Sequence, residues 1–205
     1  EIKYEVSFPC LREHPFFKRI GSLWAVSIKE KLVSKVLSQK SLADGDLLYE
    51  DAVHSTHMHF VAFGVVSYTA NSQLHADDSD EGYRQKLFVN EWLCEPVLFT
   101  VWVTRGTAKA VSESEVVSIE AVEFCEAVQA DFGTHRITHQ YAVKFLDFLN
   151  TIPRGRLSDV GSELCFRDPE AEIGQTQSMV KSNGPFYWAR SRSRSDGFLG
   201  RISTF

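Results

Sequence analysis

The periodicity of apolar residues changes twice along this chain, and these changes limit the possible folds. Apolar side chains recur at helical spacing in residues 22–37, 122–128 and 138–149. Between the first and second of these segments, from 47 to 121, they come in short runs rich in Val, Phe and Tyr, as in strands. The order predicts an α+β, mainly β fold: a small antiparallel, jelly-roll-like β-barrel flanked by N-terminal helices and two C-terminal helices.

Turn residues and β-rich runs position the strands. Asp44-Gly45-Asp46 predicts a turn before a strand that opens at Leu47. Residues 57–68 predict one or two strands that pass through Gly64, a residue suited to a positive φ or a close backbone approach. Further strands are expected over 86–92 and, as a pair, over 107–121, while the acidic residues 71–82 predict a long exposed loop.

Three regions follow from these patterns. Residues 1–20, broken by Pro9 and Pro15, predict a helical lead-in, and residues 21–151 a folded domain. After Pro153 the sequence is mostly Gly, Ser, Arg and Pro, so we expect 152–205 to be a largely disordered tail. Its serine- and arginine-rich run suits a solvated tail. Because the chain begins at Glu1, it is expected to be part of a longer protein.

Composition excludes several classes of function. The formal net charge of −5 argues against a general nucleic-acid binder. The four cysteines are scattered without a Cys-x-x-Cys pair, which favours a reducing compartment. No window is apolar for long enough to span a bilayer. No nucleophile motif of the Gly-x-Ser-x-Gly type is present, so we predict no catalytic residue and no enzymatic activity.

Three histidines, His54, His57 and His59, lie close together and raise the question of a metal site. No cysteine or carboxylate completes a tetrahedral set around them, and the acidic loop lacks the spacing of a calcium loop. We therefore predict no metal. A metal enzyme on a similar small barrel, such as a cupin, would need a more convincing histidine set.

One stretch, residues 93–110, contains the pieces of an anion site. Glu95 before Pro96 predicts a helix start, because proline at the first helical position loses no needed hydrogen bond. Arg105 follows shortly afterwards, and a guanidinium can hold a phosphate through two hydrogen bonds.

Four motifs in order give the chain a resemblance to the cyclic-nucleotide-binding domain family. Asp44-Gly45-Asp46 resembles the family's Pro-Gly-Asp turn, and residues 58–66, Met-His-Phe-Val-Ala-Phe-Gly-Val-Val, resemble its Met-Tyr-Phe-Ile-x-x-Gly-x-Val strand pair. Leu93-Cys94-Glu95 resembles Phe-Gly-Glu, which opens the family's phosphate-binding cassette, and Arg105-Gly106-Thr107-Ala108 resembles the closing Arg-Thr-Ala. Residues 5–17 are similar to the end of the channel linker in ether-à-go-go-like and hyperpolarisation-activated channels.

The resemblance implies a ligand-binding set. Glu95 takes the position of the ribose-binding glutamate and Arg105 that of the arginine on the cyclic phosphate, while Thr107 would add a hydroxyl contact to phosphate or purine. Cys94 replaces the cassette glycine, and Trp102 lies where the cassette is normally small, so it would either stack on a purine or plug the pocket.

Gly106 splits the Arg-Thr-Ala run, and the cassette is one residue longer than usual. The implied ligand is cAMP or cGMP, with no further cofactor.

The implied function is regulatory. The chain would be the cytoplasmic domain of a voltage-gated cation channel, with a potassium channel as the preferred type. It would contact the membrane only through its parent protein and assemble with the other subunits of a tetramer. Ligand, or an intrinsic segment in the same pocket, would shift the helix over 138–149, and the shift would reach the pore through residues 1–17. The alternatives are a soluble signalling protein, such as a cyclic-nucleotide-dependent kinase, and a transcription regulator. The second would need a helix-turn-helix after the long helix, and residues 153–205 lack the periodicity for one.

Overall fold

The computed structural model describes residues 9–21, 35–70 and 84–160 of the 205. Residues 9–13 are helical and are followed by helix α1; the rest of the described chain forms ten strands, two 3-10 helices and two further α-helices. The elements are α1 Pro15–Gly21, β1 Leu37–Leu42, β2 Leu47–Tyr49, β3 His54–Ser55, β4 His57–Phe63, β5 Val66–Ala70, β6 Arg84–Leu87, β7 Trp92–Leu93, the 3-10 helix Glu95–Leu98, β8 Trp102–Val103, β9 Gly106–Ala110, β10 Ser114–Glu120, α2 Ala121–Gln129, α3 Phe132–Thr151 and the 3-10 helix Arg154–Arg156.

All the strand pairs are antiparallel, and the strands form two four-stranded sheets and a two-stranded one. The first sheet has the order β1-β10-β4-β7, the second β2-β9-β5-β6, and the third pairs β3 with β8. In the first sheet Val117 of β10 lies between Gln39 of β1 and Phe60 of β4. The α+β, mainly β, jelly-roll-like fold predicted from the sequence is confirmed.

The turn between β4 and β5 requires a glycine. Gly64 has φ +80°, and a side chain there would collide with the carbonyl oxygen of Glu113 and the side chain of Ser114. The Ser114 hydroxyl donates to the carbonyl of Val65 and accepts from its N–H. These hydrogen bonds connect the start of β10, in the first sheet, to the residue before β5, in the second. The expectation of a positive φ and a close approach at Gly64 is confirmed.

An aromatic core joins α1 to the C-terminal helices. Phe16 of α1 is fully buried, and its ring lies 4.6 Å from that of Tyr141, 5.6 Å from Phe99 and 6.0 Å from Phe124. The lead-in therefore packs directly on α3 and on the segment after the 3-10 helix Glu95–Leu98, and burial of these large rings is a main source of stability.

Side-chain caps fix the starts of both C-terminal helices. The carboxylate of Glu120 accepts the N–H of Glu123 at 2.6 Å at the start of α2, and Asp131 accepts the N–H of Thr134 at 2.8 Å at the start of α3. The helix predicted over 138–149 is therefore longer than expected and begins at Phe132, because Asp131 supplies its cap.

Three sequence predictions need correction. Leu37, assigned to a helix, begins β1, because Leu37 and Leu42 are buried in pairing with β10. A single strand over 86–92 is wrong, since β6 and β7 are separated by a turn at Asn90 (φ 74°). Residues 152–160 are predicted to be tail, but residues 158–160 are buried, and Val160 forms a bridge with Leu93.

Several predictions fall outside the described residues. They concern the helix over 22–34, the acidic loop 71–82, and the tail from 161 onward, including Arg190 to Ser195. Within the described ranges, no helix is both long and apolar enough to cross a membrane.

Candidate ligand-binding site

The residues assigned to the cassette lie between β7 and β9. Cys94 and Glu95 follow β7 at the start of the 3-10 helix Glu95–Leu98, and Trp102 is the first residue of β8. Arg105 directly precedes β9, and Thr107 is its second residue. The helix start predicted at Glu95, with Pro96 in its first turn, is confirmed, although the helix is a single 3-10 turn.

Cys94 keeps a backbone conformation that glycine favours. Its φ of 62° and ψ of 30° are left-handed, and its side chain is fully buried. Burial raises the pKa of the Cys94 thiol far above its usual value, and the negative charge of Asp159 raises it further. A neutral thiol replaces the absent side chain of the motif's glycine.

The space beside Arg105 is occupied by a residue of the chain's own C-terminal part. Asp159 is fully buried, and its Oδ1 accepts a hydrogen bond from the indole Nε1–H of Trp102 at 2.7 Å. Its Oδ2 accepts from the backbone N–H of Arg105 at 2.8 Å. Each oxygen of the carboxylate therefore accepts a hydrogen bond from the cassette.

The backbone on either side of Asp159 is also fixed. The N–H of Cys94 donates to the Asp159 carbonyl at 2.7 Å, and Val160 forms an antiparallel bridge with Leu93. The N–H of Asp159 donates to the hydroxyl of Tyr68 at 3.4 Å. Residues 158–160, called the docked segment below, therefore extend β7 like a short added strand.

The electrostatics of Asp159 reflect two opposing effects. Burial raises the pKa of its carboxyl, and the hydrogen bonds from Trp102, Arg105 and Tyr68 and the positive charge of Arg105 lower it. Burial is the larger effect, and the resulting pKa is about 6. The Arg105 guanidinium lies over the Trp102 ring, 5.5 Å from its centroid. Its Nε is buried and has no hydrogen-bond partner among the described residues. A cation without a full set of partners thus lies next to the buried carboxylate.

The glycine at position 106, which interrupts the Arg-Thr-Ala motif, is required by close packing. A side chain at this position would collide with the carbonyl oxygen of Thr69, and its Cβ would lie 2.7 Å from the Tyr68 ring. Gly106 pairs with Ala70, so β9 starts against the strand that carries Tyr68. The glycine lets β9 pack against the tyrosine that contacts the docked segment.

Glu95 does not join this group. Its carboxylate is 4% exposed, and Oε1 accepts from the hydroxyl of Tyr141 at 2.7 Å. Oε2 accepts from the indole of Trp92 at 3.1 Å and lies 3.2 Å from Nε2 of His14. Burial acts to raise the pKa of Glu95, but His14, Tyr141 and Trp92 outweigh it and hold the pKa below its usual value.

Thr107 is engaged on another side. Its hydroxyl oxygen accepts the backbone N–H of Asp51 at 3.3 Å. The structure therefore brings Cys94, Trp102 and Arg105 together around the docked segment, while the side chains of Glu95 and Thr107 have partners elsewhere.

The histidines show no convergence on a metal. The rings of His57 and His59 stack with centroids 6.1 Å apart, and Nδ1 of His59 hydrogen-bonds Ser118 Oγ at 2.7 Å. Burial, with smaller contributions from the charges of His57 and Lys40, lowers the pKa of His59 to about 3. Within residues 9–21, 35–70 and 84–160, no group of three or more potential ligands could hold a metal.

Sequence reasoning missed four residues of this region: Asp159, Tyr68, His14 and Tyr141. Asp159 gave no signal because it lies beyond the last periodic segment, in a stretch interpreted as tail. His14 lies in the part of the lead-in that resembles the channel linker, and an ionisable residue among apolar ones was the only indication there.

Comparison with known proteins places the fold. No protein-family model matches the chain, and no curated protein matches it. Among solved structures, it is similar to the N-terminal domain of a transcriptional regulator from Streptomyces coelicolor A3(2), with a TM-score of 0.55 and 17% identity over 71% of this chain and 94% of that one.

Two further structures align at a TM-score of 0.51. The C-linker/CNBHD of zELK channels, crystallized in the presence of cAMP, is 14% identical, over 67% of this chain and 62% of that one. The sensor domain of the transcriptional regulator DNR from Pseudomonas aeruginosa is 12% identical, over 71% and 97%. The chain has the cyclic-nucleotide-binding-like fold, as its motifs predict.

Proposed function

We propose that this chain is a non-enzymatic regulatory domain of the cyclic-nucleotide-binding type whose ligand pocket is occupied by its own docked segment. We assign it to a larger membrane protein, as the cytoplasmic domain of a voltage-gated cation channel. A potassium channel is the preferred type. The observation that carries the proposal is the buried Asp159 carboxylate, held by Trp102 and by the backbone N–H of Arg105.

The chemistry of the site supports self-occupancy. The resemblance assigns the cyclic phosphate to Arg105, and an anionic oxygen of Asp159 already accepts the Arg105 N–H. A phosphate oxygen would use the same kind of N–H donors as a carboxylate oxygen. A bound cAMP or cGMP therefore competes with the docked segment, and its affinity is reduced by the fraction of molecules in which the segment is docked.

The position of the docked segment suits a switch. Helix α3 ends at Thr151, and only the 3-10 helix Arg154–Arg156 and its flanks separate it from Asp159. Docking thus holds the C-terminal end of α3 near the cassette, and α3 contacts the lead-in through Tyr141 and Phe16. Release of the segment would allow α3 to shift, and the lead-in would carry that shift to the parent protein.

The channel assignment depends on the lead-in, whose sequence resembles the end of a channel linker. The parent would then be a tetramer, with the other subunits as partners.

A second candidate is the sensor domain of a transcription regulator, because two of the similar solved structures come from transcriptional regulators. DNA would then be the partner of the parent protein, and the same docked segment would control a different output. The soluble signalling protein considered from the sequence has less support, since Cys94 and Gly106 depart from its motif.

A chimeric channel tests the assignment. Residues 1–205 replace the C-linker/CNBHD of a zELK channel, and the voltage of half-maximal conductance is recorded for the original chain and for Asp159→Ala. We expect the substitution to shift this voltage. Asp147→Asn, which removes an exposed carboxylate from α3, is the matched control and should leave it unchanged. Conducting chimeras with the same voltage dependence for all three would contradict the channel assignment.

A further inference from the structure

The carboxylate of Glu95 connects three separate parts of the chain. Tyr141 belongs to α3, Trp92 to β7, and His14 to the turn before α1, and each places a polar atom within 3.2 Å of a Glu95 oxygen. Glu95 itself begins the 3-10 helix Glu95–Leu98. One charged group thus contacts the lead-in, the cassette and the last helix.

The surroundings of this charge are almost entirely aromatic. The His14 ring lies 4.3 Å from that of Trp92 and 5.3 Å from that of Phe17, and Tyr141 packs 4.6 Å from Phe16. In such a setting water does not compensate for a lost partner, so a buried carboxylate needs all its donors at once. Displacement of α3 would remove the Tyr141 hydroxyl and leave Glu95 short of one donor.

The same contacts make Glu95 unavailable to a ribose. Each of its oxygens accepts a hydrogen bond from a side chain of this protein, and the residue is only 4% exposed. Because the carboxylate is enclosed, a ribose hydroxyl could reach it only after one of the surrounding side chains had moved away. The glutamate that the resemblance assigns to ligand binding is therefore held by side chains of this protein.

We propose that Glu95 is a coupling residue that transmits the position of α3 to the lead-in through its carboxylate, and that it takes no part in holding a ribose. The inference rests on the proposed regulatory function, because it assigns the route from the pocket to the lead-in. When α3 moves, Tyr141 withdraws its hydrogen bond, Glu95 rearranges toward its remaining donors, and His14 loses its fixed partner.

Hydrogen–deuterium exchange on the full 205-residue chain tests the proposal. Tyr141→Phe removes one hydroxyl and keeps the ring, and we expect it to raise exchange about tenfold in residues 9–20, far from the substitution in sequence. Tyr49→Phe is the matched control, because it also removes one buried tyrosine hydroxyl, which lies beside the Cys94 thiol and makes no contact with the Glu95 carboxylate among the described residues. This control should leave exchange in residues 9–20 unchanged.

A second background separates coupling through Glu95 from simple packing. In the Glu95→Gln background, Tyr141→Phe should add nothing to exchange in residues 9–20. Trp92→Phe, which removes the other hydrogen-bond donor, should raise exchange in the same residues. The proposal is overturned if Tyr141→Phe acts equally in both backgrounds, since the ring contact with Phe16 would then carry the effect. It is also overturned if Tyr141→Phe raises exchange only within α3, or if Tyr49→Phe raises exchange in residues 9–20 by the same amount.

The result is independent of the proposed occupancy of the pocket. Exchange in residues 9–20 reports the contacts of Glu95, whereas nucleotide binding and chimera gating report Asp159. The exchange experiment can contradict coupling through Glu95 while the docked segment still occupies the pocket. Nucleotide binding can equally contradict occupancy of the pocket while coupling through Glu95 holds.

Discussion

The indole of Trp102 donates a hydrogen bond of 2.7 Å to the carboxylate of Asp159, a residue 57 positions later in the chain. Both side chains are buried, and the other carboxylate oxygen accepts the N–H of Arg105. The contact joins a short strand of the cassette to the segment that follows the last helix. In the function proposed above, this carboxylate takes the place that the resemblance assigns to a cyclic phosphate.

Replacing the indole tests the strength of this contact. Trp102→Phe keeps an aromatic ring and removes the donor, and we expect it to lower the free energy of unfolding by about 1.5–3 kcal/mol, as for other hydrogen bonds to charged groups. Urea denaturation measures the change. In the Asp159→Ala background the same substitution should cost much less, and an equal cost in both backgrounds would mean that the hydrogen bond contributes nothing.

The pH dependence of docking has a defined sign. Burial raises the pKa of docked Asp159 to about 6, whereas an undocked aspartate titrates near about 3.9. The docked form binds the proton more tightly, so docking is strongest below pH 4 and weakens as pH rises through about 6, by roughly a hundredfold in its equilibrium constant. The NMR signal of the Trp102 indole N–H should follow this change between pH 4 and 8. Asp159→Asn should abolish the pH dependence of this signal. A signal that does not change with pH in the original chain would contradict the assignment of the raised pKa to docked Asp159.

Gly106 should be intolerant of a side chain. Gly106→Ala places a methyl group against the Thr69 carbonyl and the Tyr68 ring, so we expect a loss of about 1–3 kcal/mol of unfolding free energy. Gly21→Ala is the control, because a Cβ there would have no heavy atom of the described residues within 4 Å. That substitution should stay within about 0.5 kcal/mol in thermal or urea denaturation. Similar values for the two variants would show that the space at position 106 can relax.

Much of the fold could be predicted because it depends on local patterns. The change from helical to alternating periodicity positions β4, β5, β9 and β10, and Gly64 takes the positive φ expected of it. β1 is not predicted, and its first residue, Leu37, is assigned to the preceding helix, because the edge position of β1 leaves most of its side chains exposed and the strand lacks the alternation of a half-buried one.

The site could be predicted only in part. The motif residues Cys94, Trp102 and Arg105 do lie together, but the partner of Arg105 and Trp102 is Asp159, which no local pattern marks. The role of Glu95 depends on Tyr141, 46 residues away, and on His14 in the lead-in. Contacts between distant segments are set by tertiary packing, which a motif does not contain.

Calorimetric titration with cAMP and cGMP tests the central claim, that the docked segment takes the place of a ligand. The original chain, Asp159→Ala, and Asp159→Ala combined with Arg105→Ala are compared at equal concentration, after each is shown to be folded. We expect binding to the original chain to be weak, the affinity of Asp159→Ala to be about tenfold higher or more, and the gain to disappear in the combined variant. An affinity that is the same with and without Asp159, or no binding to any of the three proteins, would contradict the account.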